Sequence, residues 1–234
     1  MIPPVIVQQA VSAGIQLLAI TDHNHSANAA AVQKAALGFD LTVLPGMELQ
    51  TAEDIHLLCL FDQLDQVGAL QAQVDKTLPD IQNKPDTFGA QFIVDETGDF
   101  IRTEDRLLLN ATSLSLQEGI DLVHTLGGLA IPAHVDRQAY GLLPALGFFP
   151  PDLGCDAVEV YKFNQPEQVT SLPSFPAGTP VIQNGDAHFP SDLLGACYYS
   201  LETPTIQEIR KSLWGEDGRS FRLIRRIDNP RRGL

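Results

Sequence analysis

Six side chains of the kind that hold a divalent metal fall at or just beyond the ends of short apolar runs. His23 follows the run ending at Ile20, and Glu48 follows Leu41–Leu44 across Pro45-Gly46. His56 lies in the buried run 55–60, and His134 follows Leu129–Ile131. Asp186 and His188 are two apart after a fourth run, 180–183. On an extended segment, residues two apart point the same way, so both of these can reach one centre. Imidazole and carboxylate together suit zinc, manganese or iron. A glutamate with two oxygens can bridge two metals, and paired metals activate water and clamp the oxygens of a phosphate ester. A lone histidine at a strand end is usually a satisfied polar residue. The recurrence of such groups at strand tips, in a chain with only 6 histidines, points to metal.

Other polar residues flank these six. Asp22 is expected to orient the loop or a ligand through a hydrogen bond rather than to bind metal. His25 sits two after His23 and is read either as an edge of the site or as an exposed loop residue. Arg137 follows His134 by three, and its fork suits a substrate phosphate. The alternative for Arg137 is an ion pair with its neighbour Asp136. Lys162, after the run 157–161, is a weaker candidate for the same role.

The elements that must position these groups alternate along the chain. Pro3-Pro4 opens a helix that Gly14 closes, and the strand 16–20 follows. An alanine-rich helix over 28–37 leads to the strand 41–44, broken at Pro45-Gly46, and then to the strand 55–60. This order predicts a parallel sheet with the functional tips on one face. A Gln-rich helix is expected over 62–80. Residues 81–104 interrupt the rhythm, and the runs 92–94 and 100–102 predict a hairpin insertion. Ser115 caps a helix over 116–126. The strand 129–131, a helix over 137–146, the strands 157–161, 180–183 and 196–201, and a helix over 205–213 complete the pattern. No internal repeat and no linker long enough to mark a boundary is visible, so residues 1–234 read as one α/β domain.

Composition narrows the partners. The chain of 234 residues is 44% hydrophobic and 19% charged, as expected of a globular protein. It carries 29 acidic against 15 basic residues, a formal net charge of −14. Such a surface repels long polyanions and anionic membranes. A small phosphate ester is still admissible, because a bound metal supplies local positive charge. The basic residues gather in 219–234, which reads as a solvated, poorly ordered tail. Cys59, Cys155 and Cys197 form no C-x-x-C pair and read as reduced core residues of a cytoplasmic protein. No apolar run approaches the roughly 20 residues of a membrane span, and no signal peptide is visible.

In order along the chain, Thr21-Asp22-His23-Asn24, Pro45-Gly46-Met47-Glu48, His56-Leu57-Leu58, Pro132-Ala133-His134 and Asp186-Ala187-His188 resemble the motifs of the PHP (polymerase and histidinol phosphatase) family. The nearest resemblance is to its stand-alone bacterial metal-dependent phosphoesterases. The set is specific as a series, although each motif alone is weak. The resemblance implies a distorted (β/α)7 barrel holding up to three divalent ions at the strand ends. It implies hydrolysis of phosphomonoesters such as histidinol phosphate or nucleoside bisphosphates, or trimming of nucleic-acid ends. By resemblance, Glu48 bridges two metals, His56 and His134 complete the second, Asp186 serves the first, and His23 and His188 serve the third. The family also begins with a strand carrying His-x-His, and this sequence has none. The chain is therefore expected to lack the first barrel strand and to hold fewer metals. A late start codon is the first explanation, and a real truncation or a non-catalytic metal-binding module are the others. A missing strand is expected to expose the barrel edge and favour a homodimer. The reading is a phosphoesterase acting on a small phosphorylated substrate, with Glu48 and Arg137 as its catalytic residues. A non-catalytic or weakened module, and an exonuclease, stand as alternatives.

Overall fold

A computed structural model describes residues 1–224. Residues 17–132 build one four-stranded sheet in the order β1-β2-β3-β6, from β1 (Leu17–Ile20), β2 (Thr42–Gln50), β3 (His56–Leu60) and β6 (Leu129–Pro132). Helices α1 (Pro3–Ser12) and α2 (Ala29–Ala35) pack at its β1 end through Val7, Ala10, Val32 and Val43. Helices α3 (Leu64–Thr77) and α5 (Leu116–Thr125) cover one face, where Met47, Leu49, Leu57 and Cys59 meet Val67, Leu70, Ile120 and Val123. Strand alternation sends Leu44 and Leu58 to the opposite face. There they join a separate apolar cluster with Ile131, Ile182 and Ile209.

Strand β2 runs through Pro45-Gly46 without the predicted break. Those two residues mark a change of partner. Thr42–Pro45 pair with β1 in parallel register, and Gly46–Gln50 pair with β3. Proline has no N–H to give a ladder, so it fits at the handover. A Cβ on Gly46 would lie 2.8 Å from the Cys59 carbonyl oxygen and 3.1 Å from that of Ile20, which is why the crossing requires glycine.

The expectation of a parallel sheet fails at β3, which is antiparallel to both β2 and β6. The link from β2 to β3 is a tight turn at 51–55, in which Thr51 N–H donates to the Ile55 carbonyl at 2.9 Å. A parallel crossover needs about a dozen residues, so this link can only make a hairpin.

The runs 92–94 and 100–102 pair as an antiparallel hairpin. A short helix α4 (Pro85–Phe88) precedes the antiparallel pair β4 (Phe92–Val94) and β5 (Phe100–Thr103). Ser115 and Glu118 form a reciprocal cap on α5. The helix expected over 137–146 is only α6 (Leu142–Leu146); 134–141 is a turn, with His134 and Tyr140 in the left-handed region. Strands β7 (Val158–Glu159) and β8 (Val181–Ile182) pair in parallel on either side of α7 (Pro166–Thr170), a helix the sequence reading lacked.

Strand β9 (Cys197–Ser200), helix α8 (Ile206–Trp214) and strand β10 (Ser220–Leu223) follow. The pairing of β10 with β9 corrects the tail expected from residue 219. Arg219 is held by Glu202 and Glu208, both at 2.7 Å, so the start of that segment is anchored. Residues 225–234 of the expected tail lie outside the described residues.

Among the described residues the strands form this sheet and three two-stranded pairs, and no closed ring of hydrogen-bonded strands. The mixed α/β class holds, and the closure implied by a (β/α)7 barrel is not seen. Among the described residues no helix is long and apolar enough to cross a membrane. The three cysteines are unpaired.

Candidate metal centre

The centre is built where β1, β2 and β6 end and the antiparallel β3 begins. Past β1 the chain keeps touching β2. Glu48 N–H donates to the Asp22 carbonyl at 3.1 Å, Asn24 N–H donates to the Glu48 carbonyl at 3.0 Å, and His23 and Glu48 form a parallel bridge. Asn24 fixes this turn. It sits at φ +48°, a conformation asparagine tolerates. Its side-chain amide donates to the Leu108 and Asn110 carbonyls and its oxygen accepts from Gln50 N–H.

Glu48 pairs with Leu58 and Gln50 with His56, so the alternation puts Glu48 and His56 diagonally on one face. His134 enters from just beyond β6, where Ala133 N–H donates to the His56 carbonyl at 2.9 Å. Its own N–H donates to the Glu159 carboxylate on β7 at 3.1 Å.

Three imidazoles converge on one carboxylate. Glu48 Oε1 lies 2.8 Å from His56 Nδ1 and 3.4 Å from His134 Nε2, and Oε2 lies 3.4 Å from His23 Nδ1. Ligand atoms of His23, Glu48 and His56 all fall within 4.8 Å of one another. His56 Nδ1 and His134 Nε2 are 3.3 Å apart.

His188 and Asp186 lie on the outer side. The His188 ring is 5.9 Å from that of His23, and its Nδ1 is 3.6 Å from Asp186 Oδ1. Asp186 Oδ2 accepts from Arg137 at 3.0 Å. Arg137 is therefore paired with Asp186, while Asp136 accepts from Tyr161 N–H and from the Asn164 amide. Lys162 donates to the Gly185 carbonyl at 2.6 Å and pairs with Asp192. Asp22 accepts from Asn28 and steadies the loop. His25 is buried at the rim, 3.6 Å from Glu104 of the insertion.

Electrostatics favour ligation at Glu48 and His23. Burial alone would raise the Glu48 carboxyl, but hydrogen bonds from His134 and His56 and the nearby imidazoles outweigh it and hold the group well below its ordinary range. Burial lowers His23 against the pull of Glu48, which keeps its imidazole neutral and able to bind metal. Burial also acts to lower His134, but Glu48, Glu159 and Asp186 raise it overall. The buried Nδ1 atoms of His23 and His134 have no hydrogen-bond partner. Buried polar atoms are almost always satisfied, so these two mark a place where a further group fits. A carboxylate with three imidazoles suits a divalent cation.

Two groups here carry no motif in the sequence. Glu159 is buried beneath His134, and burial, the largest influence, pushes its carboxyl up to about 7 against the opposing charge of His134. A lone acid in the apolar run 157–161 was its only signal. Tyr140 stacks on His56, and nothing in the sequence announces it. The sixth histidine, His124, lies apart from the centre and pairs with Asp156 at 2.9 Å.

A cavity of about 1120 Å³ joins the centre to the inner face of the sheet. His23, Glu48 and His188 line one end, and Leu44, Leu58 and Ile131 line the wall.

No protein-family model matches the chain, and no curated protein matches it significantly. Solved structures do. The lesion-specific endonuclease PfuEndoQ from Pyrococcus furiosus matches with a TM-score of 0.65 at 19% identity, over 93% of this chain and 52% of its own. Endonuclease Q in complex with a 27-mer duplex bearing an abasic lesion matches at 0.66 and 20%, again over 93% and 52%. A protein described as a metal-dependent phosphoesterase, from Bifidobacterium adolescentis, matches at 0.53 and 18%, over 90% of this chain and 89% of its own. The fold is shared with these proteins. At such identities the likeness reaches no further than the fold. This chain spans about half the length of the endonuclease chains it matches.

Proposed function

We propose that the chain is a metal-dependent phosphoesterase acting on small phosphomonoesters, with its centre at His23, Glu48, His56 and His134. The observation that carries this reading is the ionised, buried Glu48 carboxylate facing three imidazoles, two of which hold an unsatisfied buried nitrogen. Asp186 and His188 extend the ligand set on the outer side. A divalent cation held there supplies Lewis acidity and activates water at neutral pH.

The chain's own residues do the rest. Glu48 supplies the negative charge that retains a cation among the imidazoles. Glu159 holds the His134 main chain, and so the direction of that ring. Arg137 lies at the open side, and its guanidinium, now on Asp186, is placed to orient a phosphate dianion.

Nucleic acid is the second reading. The expectation against it rested on the acidic net charge, and the shared fold of two endonuclease structures favours keeping it.

The test is phosphate release from a panel of phosphomonoesters with Mn²⁺ or Zn²⁺, beside cleavage of an end-labelled oligonucleotide. Release from the monoesters is expected, with Glu48→Gln losing at least about a hundredfold, since even outer partners of a ligand cost 10–100-fold. Cleavage of the oligonucleotide alone would move the proposal to a nuclease. No metal-dependent hydrolysis of either kind would leave a binding module.

A further inference from the structure

Tyr140 lies flat on His56. The ring centroids are 4.4 Å apart and the planes differ by 5°. The same residue is tied to His56 a second time, because His56 N–H donates to the Tyr140 carbonyl at 3.1 Å. Its backbone sits at φ +62°, a strained conformation for a bulky side chain. The residue is 43% exposed, so little burial offsets that strain. The turn itself is tight, since a Cβ on the next residue, Gly141, would fall 2.3 Å from the Arg137 carbonyl oxygen. Glycine at 140 would satisfy the backbone better than tyrosine does. Strain kept at a site is a sign of use.

We propose that Tyr140 is a positioning residue for His56. Its ring blocks the flip of the imidazole that would exchange Nδ1 for a carbon, and so keeps Nδ1 facing Glu48 and a bound cation. The other rings beside His56 are those of His134, at 5.3 Å and 65°, and His23, at 5.0 Å and 57°. Neither tilted ring closes the face that Tyr140 covers. The inference rests on the metal reading above.

The experiment measures the affinity of the full chain for Zn²⁺ and Mn²⁺ by chelator competition, and the melting temperature of the metal-free chain. The variants are Tyr140→Phe, Tyr140→Ala and Tyr140→Gly. Tyr140→Phe keeps the stacked ring and is expected to stay within about twofold of the wild type. Tyr140→Ala and Tyr140→Gly are expected to bind about tenfold more weakly, as for other outer partners of a ligand. Tyr140→Gly is expected to melt no lower than the wild type, because glycine accepts the positive φ. Weaker metal binding in a chain that is not destabilised separates positioning from a structural role. Equal affinity of Tyr140→Gly and the wild type overturns this inference alone, as does a Tyr140→Phe variant as weak as Tyr140→Gly. A wild-type chain that binds neither metal overturns the metal reading and this inference with it.

Discussion

Glu48 and Glu159 are both buried at one centre, and their surroundings push them in opposite directions. Glu48 accepts from His56 and His134, and their pull overcomes burial. Glu159 has the main-chain N–H of His134 and is pushed up to about 7, burial being the dominant cause. The linkage differs in sign. Glu48 stabilises the metal-free fold above the ordinary carboxylate range, and that contribution fades as pH falls through its depressed value. For Glu159 the folded chain holds the proton longer than the unfolded chain does, so stability falls as pH rises from the ordinary range towards 7. Glu159→Gln removes that slope while keeping an oxygen for His134 N–H. Relative to the wild type, the metal-free variant is expected to gain on the order of 1–3 kcal/mol between pH 5 and pH 8. Urea melts at several pH values read this directly, and a difference that does not change with pH would show that Glu159 titrates normally. None of this was visible at the residue level in the sequence. His23, Glu48 and His134 stood out because each follows an apolar run, and His56 because it opens one. Glu159 sat inside one, where an acid is read as an interruption, and Tyr140 acts through a backbone angle that no residue type reveals.

At the scale of elements, the helices and strands of the first half were legible because periodicity and caps mark them. Direction was not. A buried strand reads the same whichever way it runs, and only the short link at 51–55 fixed β3 as antiparallel. The helix over 137–146 failed for a related reason, since left-handed residues at 134 and 140 leave the apolar pattern intact. Pro45-Gly46 was recognised as special and misread as a break. Its role as the handover between β1 and β3 predicts that Gly46→Ala is costly, because the atoms it would meet are main-chain carbonyls that cannot swing away. A loss of about 1–3 kcal/mol is expected, seen as a lower urea midpoint with an unchanged slope. The insertion is latched to the centre through Asn28, which donates to the Phe92 carbonyl and to Asp22 and accepts from Val94 N–H. Asn28→Ala is expected to leave global stability within about 1 kcal/mol and to raise amide exchange at Val94. Unchanged exchange there would mean that the strand contacts alone hold the hairpin.

The whole molecule carries a formal net charge of −14, and this bears on how metal binding must be tested. Any divalent cation will gather at such a surface and raise stability slightly, and salt screens that effect over about 8–10 Å. A buried centre behaves differently. Its carboxylate and imidazoles are shielded from the salt, so its contribution survives high ionic strength and depends on the identity of the ion. At a free concentration a hundred times the dissociation constant, a cation that binds only the folded chain adds about 2.7 kcal/mol. For a chain of this length that is roughly 5–10 °C in melting temperature. Zn²⁺ or Mn²⁺ is therefore expected to raise the melting temperature by this amount in 0.5 M salt, and a chelator to reverse it. Mg²⁺, which favours oxygen ligands, is expected to do far less. Glu48→Gln should abolish the gain while leaving the small, salt-sensitive surface effect in place. A shift that disappears in salt, or that Glu48→Gln retains, would assign the cations to the acidic surface and leave the four converging side chains without a metal to hold.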